Sequence, residues 1–255
     1  MSSDRNPAIK VADEQGGPLR RLALLAVGRT GADIERLVRE ARQRARRERR
    51  SMTWDDLQRA IREGQPRLPD DLRWRVAVHE SGHCIASVHL NLAEVRQLSI
   101  EASETKLGFL AAAAGTAILT EARALDILCL HLAGRAAEEL MLGNISMGSG
   151  GSAGSDLAIA TDLALALETR VGRGSTWPLL YRDATTIPAL LFVEPGLADR
   201  VNARLDEAFD RARRLLTEHR DELLALADAL VERGTLEGPE IAALVAAASS
   251  PGPSS

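Results

Sequence analysis

Most of the chain is written in the helical period. In ADIERLVREARQRARRERR, Ile34, Leu37, Val38, Ala41 and Ala45 fall on one face, which predicts a helix over about 32–50. Thr53, with Asp56 three positions on, reads as the N-cap of a short helix over WDDLQRAI. A shorter helical pattern, LRRLALLAVG, starts at Pro18 and is broken by Gly28 and Gly31; Gly64, Pro66 and Pro69 close this first block. Further helices are predicted over about 72–90, 121–142, 156–171, 197–218 and 220–233, with a last short one, PEIAALVAA, after Gly238. Residues 95–100 and the run GFLAAAA depart from the period and predict a small sheet. Residues 172–195, with Pro178, Pro188 and Pro195, predict irregular chain, and no internal repeat is present. The expected fold is therefore mainly α with a small β-sheet. It falls into a helical module over 18–64 and a larger domain over 70–247, with disordered tails at 1–17 and 248–255.

Composition narrows this picture. With 45% hydrophobic and 27% charged residues the chain reads as an ordinary soluble globular protein. Aromatic residues are only 3%, so Ala, Leu, Val and Ile must build the core. The net charge of -4 gives no global field toward nucleic acid or membrane. The predicted helix over 32–50 does carry eight arginines, but Glu35, Glu40 and Glu48 sit among them at pairing distances and no aromatic accompanies them. A solvated or protein-contacting face is expected there, not a nucleic-acid site. Cys84 and Cys129 lie in apolar helical patterns, which argues against a disulfide framework and for a reducing compartment. No apolar run approaches the ~20 residues of a membrane span, and the polar start MSSDRNPAIKVADEQ lacks a signal-peptide core. The expected location is the cytoplasm. Neither lysine, Lys10 or Lys106, follows a glycine, so the Gly-Lys-[Ser/Thr] of a phosphate-binding loop is missing.

The candidate chemistry lies in His79-Glu80-Ser81-Gly82-His83. Histidines at i and i+4 share one face of a helix, so both imidazoles reach one metal ion. The glutamate between them stands beside it, able to take a proton from the attacking water and pass it to a leaving amine. This is the HExxH zinc-peptidase pattern. Its flanks, RVAV and CIASVHL, are apolar and suited to burial, where a His-Glu-x-x-His without a metal would strand polar groups.

A catalytic zinc needs a third protein ligand and one open position. Three sources compete. His89 has the third-histidine spacing of HExxHxxGxxH, but Ala86 stands where that pattern has glycine. On an unbroken helix His89 points roughly 120° away from His83 and lies about 9 Å further along the axis. His131 is a second source, in DILCLHLAGRAAEE, where it also reads as a packed or supporting histidine. A carboxylate is the third. Asp156 opens a helix directly after SMGSGGSAGS, whose glycines let the loop bring it in; the plain alternative is an acidic residue at a helix N-terminus.

Three segments, VHESGHCIA, LAGRAAEELMLGN and GSDLAIATDLA, resemble in order and spacing the peptidase domain of the FtsH-type AAA+ zinc metalloproteases. TLEGPEI is similar to that family's last-helix motif, and TGADIERLVREARQRA with MTWDDLQRAI to the helical lid of its ATPase domain. The resemblance spans roughly residues 18–247. It implies a helical zinc-peptidase domain preceded by a lid-like module, with Zn2+ held by His79, His83 and Asp156 and Glu80 as the base. The family's transmembrane segments and nucleotide-binding core are not matched, Ser155 stands where asparagine is common, and the loop is richer in Gly and Ser. The function implied is ATP-independent endopeptidase cleavage of unfolded or flexible polypeptides, bound as an added strand along about Val95–Ile100. Hexameric assembly or a partner AAA+ ATPase is implied as well, and a regulatory subunit of a full-length relative is the alternative.

Overall fold

The computed structural model of the chain describes residues 22, 26, 30–63, 68–100, 109–112, 120–182 and 194–249. The expected tails (248 and 249 apart) and most of the helix expected from Pro18 lie outside these residues. The chain divides into two compact units. One comprises Met1–Arg67 with Ala102–Thr105, the other Leu68–Glu101 with Lys106–Ser255.

In the first unit, α1 (Gly31–Arg47) and α2 (Trp54–Glu63) form a helical hairpin. Thr30 and Asp33 cap α1 reciprocally, and Thr53 with Asp56 does the same for α2, Thr53 N donating to Asp56 Oδ2 at 2.8 Å. Arg50 grips the buried Asp56 through both Nη atoms at 2.6 and 2.7 Å. Leu22, Leu37, Ala41, Ala60 and Ile61 make the small core. On the outer face Arg36 pairs with Glu40 and Arg39 with Glu35, both one helical turn apart as the sequence suggests. Such exposed pairs stabilise by only about 0.3–0.5 kcal/mol each.

In the second unit, α3 (Asp70–His89) is the centre. Val76–Val78 and Ser81–Ser87 are buried all round the helix, because α4 (Glu121–Leu142), α6 (Leu197–Glu218), α7 (Arg220–Arg233) and the sheet all pack on it. Small residues set the closest contact. A Cβ at Gly82 would stand 2.7 Å from both the Ala133 carbonyl oxygen and the Ala137 Cβ, so only glycine admits α4 at this distance. Between α4 and α5 (Asp156–Thr169) runs the glycine-serine loop, starting at Gly143 in the left-handed region (φ 68°). The far end of α5 is clamped to α6: buried Glu168 accepts from Arg200 Nε at 3.1 Å and Arg204 Nε at 2.7 Å. The described part of 172–195 contains no helix or strand, as the prolines suggest.

The sheet has three described strands in the order β2-β1-β3. β1 (Val95–Ser99) pairs antiparallel with β2 (Phe109–Ala112) and with β3 (Thr235–Glu237), which leads directly into α8 (Gly238–Ala248). The expectation of an open edge along Val95–Ile100 is therefore overturned. β1 is the middle strand, Ser99 facing Phe109 on one side and Thr235 on the other, and its main-chain groups are spent on both neighbours. The three-residue β3 is too short to show a period in the sequence, and its partner lies over 130 residues upstream.

Candidate metal centre

His79 and His83 project from the same face of α3 toward α4, as the i, i+4 spacing requires. Their Nε2 atoms are 3.1 Å apart, and Asp156 Oδ2 lies 3.3 Å from each. The three donor atoms share one small region, all within 4.8 Å of one another. Asp156 arrives as the first residue of α5, whose start Ser155 caps by accepting from Ala158 N.

The outer nitrogen of each imidazole is committed elsewhere. His79 Nδ1 donates to Glu138 Oε1 at 2.9 Å, and His83 Nδ1 to the Leu130 carbonyl at 2.7 Å. Both acceptors lack protons, so each neutral ring carries its hydrogen on Nδ1 and turns an Nε2 lone pair inward. Three acceptors then converge, an arrangement that repels itself unless a cation lies among them. Two ligands about 2.0 Å from a tetrahedral ion stand about 3.3 Å apart, and the spacing observed is of that size.

Charge reinforces this. Burial opposes ionisation of Asp156, yet His131, His79 and His83 outweigh it and hold the carboxyl far below the usual carboxylate range. Burial likewise disfavours a cationic His79, but Asp156, Glu138 and Glu80 prevail and raise it to about 9. The centre draws in positive charge, as proton or as metal ion.

Glu80 lies between the two histidines on α3 and is partly exposed. His89 is the last residue of α3. The helix runs unbroken past Ala86, and His89 Nε2 meets Glu222 Oε2 at 2.6 Å, away from the centre. His131 lies at the rim, its Nδ1 3.6 Å from Asp156 Oδ1. The buried thiols stand apart: burial pushes Cys84 up to about 12 and Cys129 to about 11, so neither is a nucleophile at neutral pH.

Sequence reasoning missed the supporting residues. Glu138 is only 1% exposed and binds His79, Arg75 Nη1 at 2.7 Å, and both N and Oγ of Ser146. Burial pushes its pKa up, but His79, Arg75 and Ser146 together hold it down at about 2. Gly134 was missed as well: a Cβ there would lie 2.6 Å from Nε2 of both histidines. The signal for both was present in LAGRAAEE, a glycine and a glutamate four apart and so on one helix face.

Residues 67–190, the segment that holds this whole centre, match the model of Peptidase family M41. The chain carries an FtsH-type peptidase domain. Similar proteins extend the likeness beyond the matched segment. The ATP-dependent zinc metalloprotease FtsH 1 of Symbiobacterium thermophilum is 35% identical over 244 residues, covering 91% of this chain and 40% of that protein. The ATP-dependent zinc metalloprotease FtsH of Pseudomonas putida is 34% identical over 260 residues, covering 91% and 41%, and that of Thermus thermophilus 32% over 259 residues, covering 91% and 40%. The chain thus spans about two fifths of the length of these relatives. Within the FtsH-type domain no helix of the described residues is long and apolar enough to cross a membrane.

Proposed function

We propose that this FtsH-type domain is a zinc-dependent endopeptidase acting on unfolded or flexible polypeptides, with His79, His83 and Asp156 holding the ion and Glu80 as general base. The observation that carries the reading is the convergence of two imidazole Nε2 atoms and one carboxylate oxygen at ligand spacing, with both Nδ1 atoms tied outward. Two neutral imidazoles and one carboxylate leave a zinc site net positive, and such an ion supplies a Lewis acid that activates water and polarises the scissile carbonyl.

The chain's own residues do the rest. Glu80 takes the proton from the attacking water on its carboxylate and returns it to the leaving amine nitrogen. Glu138 and the Leu130 carbonyl keep the imidazoles in one tautomer and orientation. An extended substrate would add to β2, an end strand of the sheet among the described residues and one that packs on α3; main-chain pairing there selects extended, unfolded chain over sequence. Hydrolysis at this centre is complete with the ion, Glu80 and water, and no nucleotide takes part in the chemical step. Folded substrates would be handed over by a partner AAA+ ATPase or within a homo-oligomeric ring, in a reducing, cytoplasmic setting that suits two free buried thiols.

The test is Glu80→Gln, assayed on casein with zinc measured in the same sample. The proposal expects kcat to fall by about 10²–10⁴-fold while zinc content stays as in the unaltered chain. Full activity in that variant would remove Glu80 as the base, and unchanged zinc content in Asp156→Ala would remove Asp156 as a ligand.

A further inference from the structure

A carboxylate at the end of a loop with four glycines among residues 146–155 is poorly placed to be a rigid ligand. The loop's own bonds fix its ends and not the Asp156 side chain. Ser146 is held by Glu138 at the entry, and Ser155 N and Oγ both donate to the Ser152 carbonyl at the exit. The Asp156 side chain is 29% exposed, and a carboxylate there can rotate unless both oxygens are engaged. Oδ2 faces His79 and His83. Oδ1 faces His131 Nδ1, at 3.6 Å. That is an electrostatic contact a few tenths of an ångström longer than a formed hydrogen bond.

A pattern along α4 gives this contact its meaning. The Leu130 carbonyl orients His83, Glu138 orients His79, and His131 stands against Asp156. One helix offers a partner to each of the three donors, and Gly134 on the same helix leaves them room. We propose that His131 is a positioning residue: it holds the second oxygen of Asp156, so that the first stays aimed at the metal despite the glycine-rich loop. The proposal rests on the ligand set argued above, and His131 acts through Asp156 without itself binding the ion.

The experiment is zinc affinity of the full chain, measured by competition with a chelator, for His131→Ala, Asp156→Ala and the double variant. His131→Ala should weaken zinc binding by about 10–100-fold, the usual effect of losing a residue that orients a ligand, and leave the melting of the metal-free protein unchanged. His131→Gln, which keeps a donor, should recover most of the loss. In the Asp156→Ala background, His131→Ala should have no further effect. His131→Phe keeps a ring without nitrogens and repeats the measurement if the smaller side chain disturbs packing.

Unchanged affinity in both His131→Ala and His131→Phe overturns the proposal. An undiminished effect in the Asp156→Ala background overturns it too, because His131 would then act on the ion directly. If Asp156→Ala weakens zinc and the His131 variants do not, the positioning role alone falls. If Asp156→Ala binds zinc as the unaltered chain does, the ligand set falls with it.

Discussion

Two clusters in this chain have nearly the same composition. His79, His83 and Asp156 form one; His89, His219 and Glu222 form the other. In the first, the outer nitrogens are tied to Glu138 and the Leu130 carbonyl, and the inner nitrogens stand 3.1 Å from each other and 3.3 Å from the carboxylate. In the second, each imidazole donates to its own oxygen of Glu222, at 2.6 and 3.0 Å, and the rings stack with centroids 3.5 Å apart. Ser249 Oγ adds a third donor at 2.7 Å, fastening the end of α8. The first arrangement draws in positive charge, as proton or as metal ion; in the second, hydrogens already fill the space between the heavy atoms. Donor type is therefore a weak guide to a metal site. What decides is where each ring's other nitrogen is engaged, and the His79 and His83 rings have outward partners that fix their tautomers.

The comparison breaks most visibly in metal content. Zinc analysis should give one ion per chain, lost in His79→Ala and kept in His89→Ala; two ions, or a loss in His89→Ala, would erase the distinction. Next in size is Gly134→Ala. Its Cβ would press on both inner nitrogens at 2.6 Å, and zinc affinity should fall on the order of 100-fold or more, beyond the usual loss of a supporting residue. Gly143→Ala is the control. It meets open space but sits at φ 68°, so it should cost only about 1–2 kcal/mol of stability and leave zinc affinity unchanged. Glu138→Gln should weaken zinc by about 10–100-fold, since His79 loses its charged acceptor.

The smallest effect belongs to the second cluster. Burial raises the pKa of Glu222, but His89, Ser249 and His219 overcome it and leave a net downward shift. A carboxyl depressed on folding stabilises fully above its unfolded pKa of about 4.3, and the contribution is lost as pH falls through the folded value. Glu222→Gln should thus lower the Tm by a few degrees at neutral pH, about 2–4 °C for each kcal/mol lost. The gap from the unaltered chain should close below about pH 4. A gap that persists into acid would mean that packing, not charge, is what Glu222 contributes.

How legible all this was depended on sequence distance. Helices were readable because the period of α1, or of α6 and α7, repeats within a few turns. His79 and His83 were readable for the same reason, being one turn apart. That His89 would miss the centre also followed from an unbroken helix, although its partner Glu222 is 133 residues away and left no trace. Asp156 stood among three open alternatives until the whole three-segment pattern was compared with a family. The middle position of β1 was misjudged because β3 returns from the far end of the chain. Glu138 was overlooked because a glutamate on a helix ordinarily faces water. Only packing shows it buried beneath His79.

The seam of small residues between α3 and α4 also bears on which ion is accepted. With Gly82 against Ala133 and Ala137, and Gly134 against the two imidazoles, α4 fixes where the histidines stand, while α5 brings the carboxylate. The 3.1–3.3 Å between the three donor atoms fits ligands about 2.0 Å from a four-coordinate ion. Calcium wants six to eight oxygens at about 2.3–2.6 Å, and magnesium about six in octahedral array. Neither the span nor the nitrogen donors suit them. Selectivity for a small, nitrogen-tolerant cation would then rest on how firmly α4 seats the two imidazoles and α5 delivers the carboxylate.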